Sequence, residues 1–165
     1  MTVIEVEKDP EARTLTMTAR FDAPPARVWQ VWADPRRLER WWGPPTYPAT
    51  VVDHDLTPGG RVAYFMTSPE GDNYHGWWRF LAVDAPRGLE FEDGFSDDSG
   101  SPNPDMPTTS TRVTLDPDGE NGTRMLIVST FATLEAMQQL EAMGMVEGLT
   151  AAIGQIPAIL ESVAE

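Results

Sequence analysis

Regular patterning begins at residues 13–21, RTLTMTARF, where Leu15, Met17, Ala19 and Phe21 alternate with Thr14, Thr16, Thr18 and Arg20. A period of two with one apolar side predicts a strand with one face buried. The segment APPARVWQVWADP follows. Pro25 suits a first helical position, where its missing N–H is not needed. Val28, Val31 and Trp32 fall on one stripe, with Trp29 at its edge. Asp34-Pro35 ends this helix and starts another, with Asp34 as N-cap and Pro35 in the first turn. The second helix, RRLERWW, stops at Gly43. Its last two residues, Trp41 and Trp42, are about 100° apart around the axis. Leu38 lies three before one and four before the other, so one tryptophan continues the apolar stripe. One is expected to anchor the short helices to the sheet. The other, with Trp42 favoured, is expected to stand at the rim where a ligand enters.

From residue 47 to 131 the signals are of strands and turns. ATVVDHDL, RVAYFM, YHGWWRFLAV, LEFEDGF, TSTRVTL and GTRMLIVSTF read as strands. TPGG, SPEGDN, DAPRG, the polar loop SDDSGSPNPDMP and the hairpin connection DPDGENG separate them. The tail from Thr133 onward reads as one long helix. Leu149, Ile153, Ile156, Leu160 and Val163 form its apolar stripe, and Gly144, Gly148 and Ala152 a second ridge of small residues. Pro157 is expected to kink or break it near Gln155.

The order is one strand, two short helices, six antiparallel strands and a long helix, an α+β arrangement in one domain over residues 1–165. The sheet's apolar face needs a cover, and only the last helix is long enough. A curved sheet around one helix leaves room for a pocket.

Composition narrows the uses of such a pocket. Lys and Arg total 12 against 26 Asp and Glu, a formal charge of -14. That field repels nucleic-acid backbones and anionic membrane surfaces. There is no cysteine, so thiolate chemistry and disulfides are excluded. The start, MTVIEVEKDPEART, has no apolar core of a signal peptide, and the uncharged stretch 148–160 is too short to span a bilayer. A cytoplasmic location is expected, without membrane insertion or nucleic-acid binding.

Taken in order, FDAPPARVWQVWADPRRLERWWGP, DLTPGGRVAYFM, GWWRFLAVDAPRGLEFEDGF, GTRMLIVSTF and MGMVEGL resemble the START-like (SRPBCC) superfamily. The branch they resemble is the one similar to the C-terminal domain of the activator of heat-shock protein 90 ATPase. The resemblance covers residues 13–163. It implies a helix-grip fold, a curved antiparallel sheet wrapped around a long C-terminal helix with two short helices after strand 1. It also implies a cavity for hydrophobic or amphipathic small molecules. Some branches are aromatase/cyclases, and others only bind or carry. The chain departs from the pattern at Leu149, where many relatives carry tryptophan, and at Pro157. It shows no separate N-terminal domain of the co-chaperones, so chaperone activation is not expected.

The expected function is therefore binding of a small hydrophobic or amphipathic ligand between the sheet and the last helix. The expected walls are Trp32, Trp42, Phe65, Trp78, Phe80, Phe91, Phe95 and Met145, with Asp93 as a polar anchor. In GWW, Trp77 and Trp78 must face opposite sides, and Trp78 with Phe80 is expected to face the helix unless a bulge at Gly76 reverses them. Met125, Met137, Met143 and Met145 either fill core or line an adaptable cavity. Asp93 shares a face with Leu89, Phe91 and Phe95. It must pair with Arg79 or Arg112, meet water in a cavity, or lie past the strand's end. The alternatives are a cyclase- or hydrolase-like enzyme with Asp93 or His75 as acid/base, and a co-chaperone-type interaction module. The DHD triplet, Asp53 to Asp55, splits across two faces of a strand and reads as surface polarity rather than a metal site. PGG at 58–60 lacks the Lys-Ser/Thr of a phosphate loop. No catalytic residue, cofactor or metal is implied. Beyond the ligand, the one partner entertained is a second copy of the chain in a homodimer.

Overall fold

The computed structural model describes residues 4–97, 99 and 101–162. Eight strands form one antiparallel sheet: β1 (Ile4–Asp9), β2 (Thr14–Phe21), β3 (Ala49–His54), β4 (Arg61–Thr67), β5 (Asn73–Asp84), β6 (Gly88–Phe95), β7 (Thr109–Asp118) and β8 (Gly122–Phe131). Their spatial order is β1-β2-β8-β7-β6-β5-β4-β3. Two short helices, α1 (Pro25–Ala33) and α2 (Pro35–Trp41), follow β2. Three helices, α3 (Leu134–Ala142), α4 (Met145–Ile153) and α5 (Ile156–Ser162), end the chain. This is the helix-grip arrangement.

β1 is an addition to the sequence reading. It pairs with β2 from Ile4↔Ala19 to Asp9↔Thr14. An edge strand exposed along most of its length needs little apolar patterning, and IEVEKD has charges where alternation would otherwise show. The rest of the sheet follows the alternation. β-Bulges in β3 and β5 skip Val52 and Leu81 in the ladders. Both point to solvent, at 61% and 46% exposure. After each bulge the strand regains its phase, so Val51 and His54, and likewise Phe80 and Val83, face the same side.

The junction of the short helices shows how local chemistry sets tertiary packing. Asp34 accepts from the Arg36 N–H at 2.9 Å, as an N-cap should. Pro35 has no N–H to return to Val31 four residues back. The Trp41 indole donates to that Val31 carbonyl instead, at 2.8 Å. The next carbonyl, Trp32 O, meets His54 Nε2 at 3.2 Å. His54 thus closes a helix end. Arg36 donates to Val51 O and Glu39 accepts from Val51 N, so α2 covers the backbone of the edge strand β3.

The expected single helix after Thr133 is divided. Gly144 adopts φ 88° at the N-cap of α4, a left-handed conformation open to glycine at little cost. α3 consequently lies at 64° to the helical run 145–161. That run is the gripped C-terminal helix. It breaks at Gly154–Gln155, before Pro157 in the first turn of α5, as the proline predicts. The Gln155 side chain donates to the carbonyls of Trp41 and Gly43, tying the break to the end of α2. Ile153, Ile156 and Leu160 are buried in the core, and Leu149 is partly buried against it. Val163, the last residue of the expected stripe, lies outside the described residues. Among the described residues no single helix is long and apolar enough to cross a membrane.

Candidate ligand cavity

The sheet, the chain after α2 and the α3–α4 corner enclose a cavity of about 630 Å³. The sheet supplies its floor from two cross-strand rows of the inner face, Phe80, Phe91, Thr111, Ser129 and Leu15, and Trp78, Asp93, Thr109 and Phe131. Of these, Phe91, Thr111, Ser129, Asp93 and Thr109 line the cavity. Trp32 and Trp42 close one wall, while Leu140, Met143, Met145 and Leu149 form the helical roof.

Of the residues expected to line the cavity, Trp32, Trp42, Phe91, Asp93, Phe95 and Met145 do. The two neighbouring tryptophans divide as expected. Trp41 is fully buried beneath the helices, and Trp42 is half-buried at the cavity wall. Three of the expected residues do not line it. Trp78 and Phe80 face the right side of the sheet but lie behind the wall. Trp78 stacks on Phe91 at 4.0 Å and meets Trp42 edge-on at 4.7 Å. Phe80 is buried against Trp78 and His54. Phe65 is on the opposite face, beside His75. Its neighbours Tyr64 and Met66 line the cavity, and alternation turns Phe65 away from them. The same register removes His75 from the cavity, so it cannot share an acid/base role with Asp93. Trp77 points to that outer face too, donating to Phe95 O at 3.2 Å. Met125 and Met137 are buried in the core, whereas Met143 and Met145 line the cavity.

Additions to the expected set include Tyr64, Thr109, Thr111, Ser129 and, from α3 and α4, Leu140 and Leu149. Tyr64 could have been found, since Val62 and Met66 mark the inner face of RVAYFM at its own parity. The hydroxyl residues carry no such signal, because a threonine on a half-buried strand is commonplace.

Asp93 finds neither expected arginine. Arg79 pairs with Glu92 at 3.3 Å and Arg112 with Glu90, all on the outer face. Among the described residues the Asp93 carboxylate accepts no hydrogen bond. Burial, and then the charge of Glu92, push its pKa up to about 7. Tyr64 is raised well above the usual phenol range, first by burial and then by the Asp93 charge. The indole N–H groups of Trp42 and Trp78 act on its hydroxyl in the other sense without reaching hydrogen-bonding geometry. This carboxyl therefore exchanges its proton near neutrality inside a mostly apolar chamber.

Gly76 makes room for the Tyr64 ring, which a side chain there would strike. Gly76→Ala is expected to destabilise the protein by about 1–3 kcal/mol through overpacking. A lower urea midpoint would report it; an unchanged midpoint would mean that Tyr64 moves aside without cost.

The profile of the family described as "Activator of Hsp90 ATPase homolog 1-like protein" matches residues 22–161. Among solved structures, the crystal structure of protein Ms6760 from Mycobacterium smegmatis is 50% identical. The match covers 96% of this chain and 97% of that one, with a TM-score of 0.88. The solution structure of a protein from Arthrobacter aurescens is also 50% identical, covering 98% and 93%, with a TM-score of 0.91. CalU16 from Micromonospora echinospora, 18% identical with a TM-score of 0.58 over 97% and 85%, shares the fold alone. No curated protein matches the chain.

Proposed function

The chain belongs to the Activator of Hsp90 ATPase homolog 1-like family, and on that premise we propose that its cavity binds a small hydrophobic or amphipathic molecule. The observation that carries this reading is the chamber itself. Its volume of about 630 Å³ falls within the range of small-molecule sites, roughly 300–1,000 Å³. Its wall is mostly apolar, with aromatic rings and methionines prominent, and Asp93, Thr109, Thr111 and Ser129 stand on the sheet floor. An apolar body gains by displacing water from such a wall, and the few polar groups orient it.

A neutral fluorescent probe, N-phenyl-1-naphthylamine, tests the reading. Its emission is expected to brighten and shift to the blue on saturable binding of one molecule per chain. Leu149→Trp, which extends a ring from α4 into the chamber, is expected to weaken that binding by roughly tenfold or more, because the added ring takes space the probe would fill. Non-saturable binding, or equal binding by the variant, would count against the cavity as the site.

A further inference from the structure

We infer that the cavity selects by charge, accepting an aromatic amphiphile with a protonated amine at its polar end and rejecting the carboxylate of the same shape. This rests on the reading of the chamber as a ligand site and adds the class of ligand. None of the chain's 12 lysines and arginines lines the chamber, and neither does either histidine. The two charged residues that do, Asp93 and Glu147, are both acids. Arg79 and Arg112, the nearest cations along the flanking strands, sit on the outer face and are paired there.

The floor carries one carboxylate, which when ionised only accepts, and three hydroxyls, which accept or donate. Asp93 lies directly opposite Thr109, and Thr111 opposite Ser129. The side chains of Asp93, Thr109, Thr111 and Ser129 make no hydrogen bond among the described residues. An ammonium group brings three donors and a positive charge, so it suits this set. A carboxylate could accept from the hydroxyls and from the Trp42 indole N–H, which has no partner among the described residues, but it would put a second negative charge beside Asp93 with no lysine or arginine lining the chamber to offset it. Trp42 and Phe91 line the chamber and give it aromatic contact for the ligand's ring system. The net charge of -14 draws cations toward the entrance and repels anions. With Asp93 titrating near neutrality, an arriving ammonium also holds the carboxylate in its ionised form.

Three ligands with one ring system separate the contributions: 1-naphthylmethylamine, 1-naphthalenemethanol and 1-naphthoate. Their dissociation constants would be measured at pH 8 by displacement of the neutral probe from the full chain. The amine is expected to bind at least roughly tenfold more tightly than the alcohol, and the carboxylate at least roughly tenfold more weakly than the alcohol. In Asp93→Asn the ratio of amine to alcohol affinity is expected to fall below about threefold. A carboxylate that binds as well as the amine overturns the inference, as does an amine preference that survives Asp93→Asn. Either result leaves the chamber standing as a ligand site. If neither the probe nor any of the three binds, both readings fall. The ranking in the unaltered protein decides the matter even if the variant does not fold.

Discussion

At pH 8 the Asp93→Asn protein is expected to be more stable than its parent, by up to about 4 kcal/mol, and to lose that advantage as the pH is lowered toward 4. The carboxyl of Asp93 is raised in the folded state from 3.8 to about 7, chiefly because burial penalises its charged form. A raised carboxyl means that the folded protein holds a proton which the unfolded chain has released. Stability from this group is therefore fully present below pH 3.8. It declines as the pH rises toward 7 and stays low above that, at about 1.4 kcal/mol per pH unit across the window. Asparagine resembles the neutral acid in shape and does not titrate, so the difference between the two proteins isolates Asp93. Every other ionisable group is common to the two proteins, so its contribution largely cancels in the difference. Urea unfolding at pH 4, 5.5, 7 and 8.5 would trace the curve. A stability difference independent of pH would mean that Asp93 is as well solvated in the folded protein as in the unfolded one.

Trp41→Ala is expected to cost about 3–5 kcal/mol, the range for emptying a large buried aromatic site. The Trp41 ring is fully buried and sits edge-on to Trp32 at 4.8 Å and to Trp42 at 5.6 Å. Its indole N–H also satisfies the Val31 carbonyl that Pro35 leaves without a donor, so truncation removes a hydrogen bond as well as packing. Trp42→Ala makes the informative comparison. Trp42 is half-buried and lines the chamber, so its loss is expected to cost less stability and to weaken binding of the neutral probe. Denaturant midpoints and probe affinities on the two variants would separate the residue that holds the helices from the residue that shapes the site. Equal stability losses together with equal affinity losses would contradict that division.

Much of this site was legible along the chain because it depends on alternation. Phe91, Asp93 and Phe95 share a face by parity alone, and that face proved to be the inner one. Trp32 and Trp42 followed from helical spacing. Phe65 is large and apolar, yet the parity of its strand turns it to the outer face beside His75. Trp78 and Phe80 had the right face but the wrong depth. Depth depends on which ring lies over which, and Trp78 is covered by Phe91 and Trp42 from two distant segments. The arginines offered to Asp93 were near in sequence pattern but on the other side of the sheet.

The sequence by itself determined the local events: strands where polarity alternates, the helix restart at Asp34-Pro35 and the break before Pro157. Each of these follows from interactions within a few residues, which periodicity and caps record directly. The tertiary structure alone decided the rest. It recruited the polar β1 as an edge strand, turned the helical tail by 64° at Gly144, and placed Thr109 and Ser129 on the same floor as Asp93. It also left that carboxylate without a cation. These outcomes depend on register between strands far apart in the chain, on two bulges that reset the phase, and on which face of the sheet the last helix covers. A two-residue period states that residues share a side; only the assembled sheet states which side encloses a cavity and what stands across from each residue there.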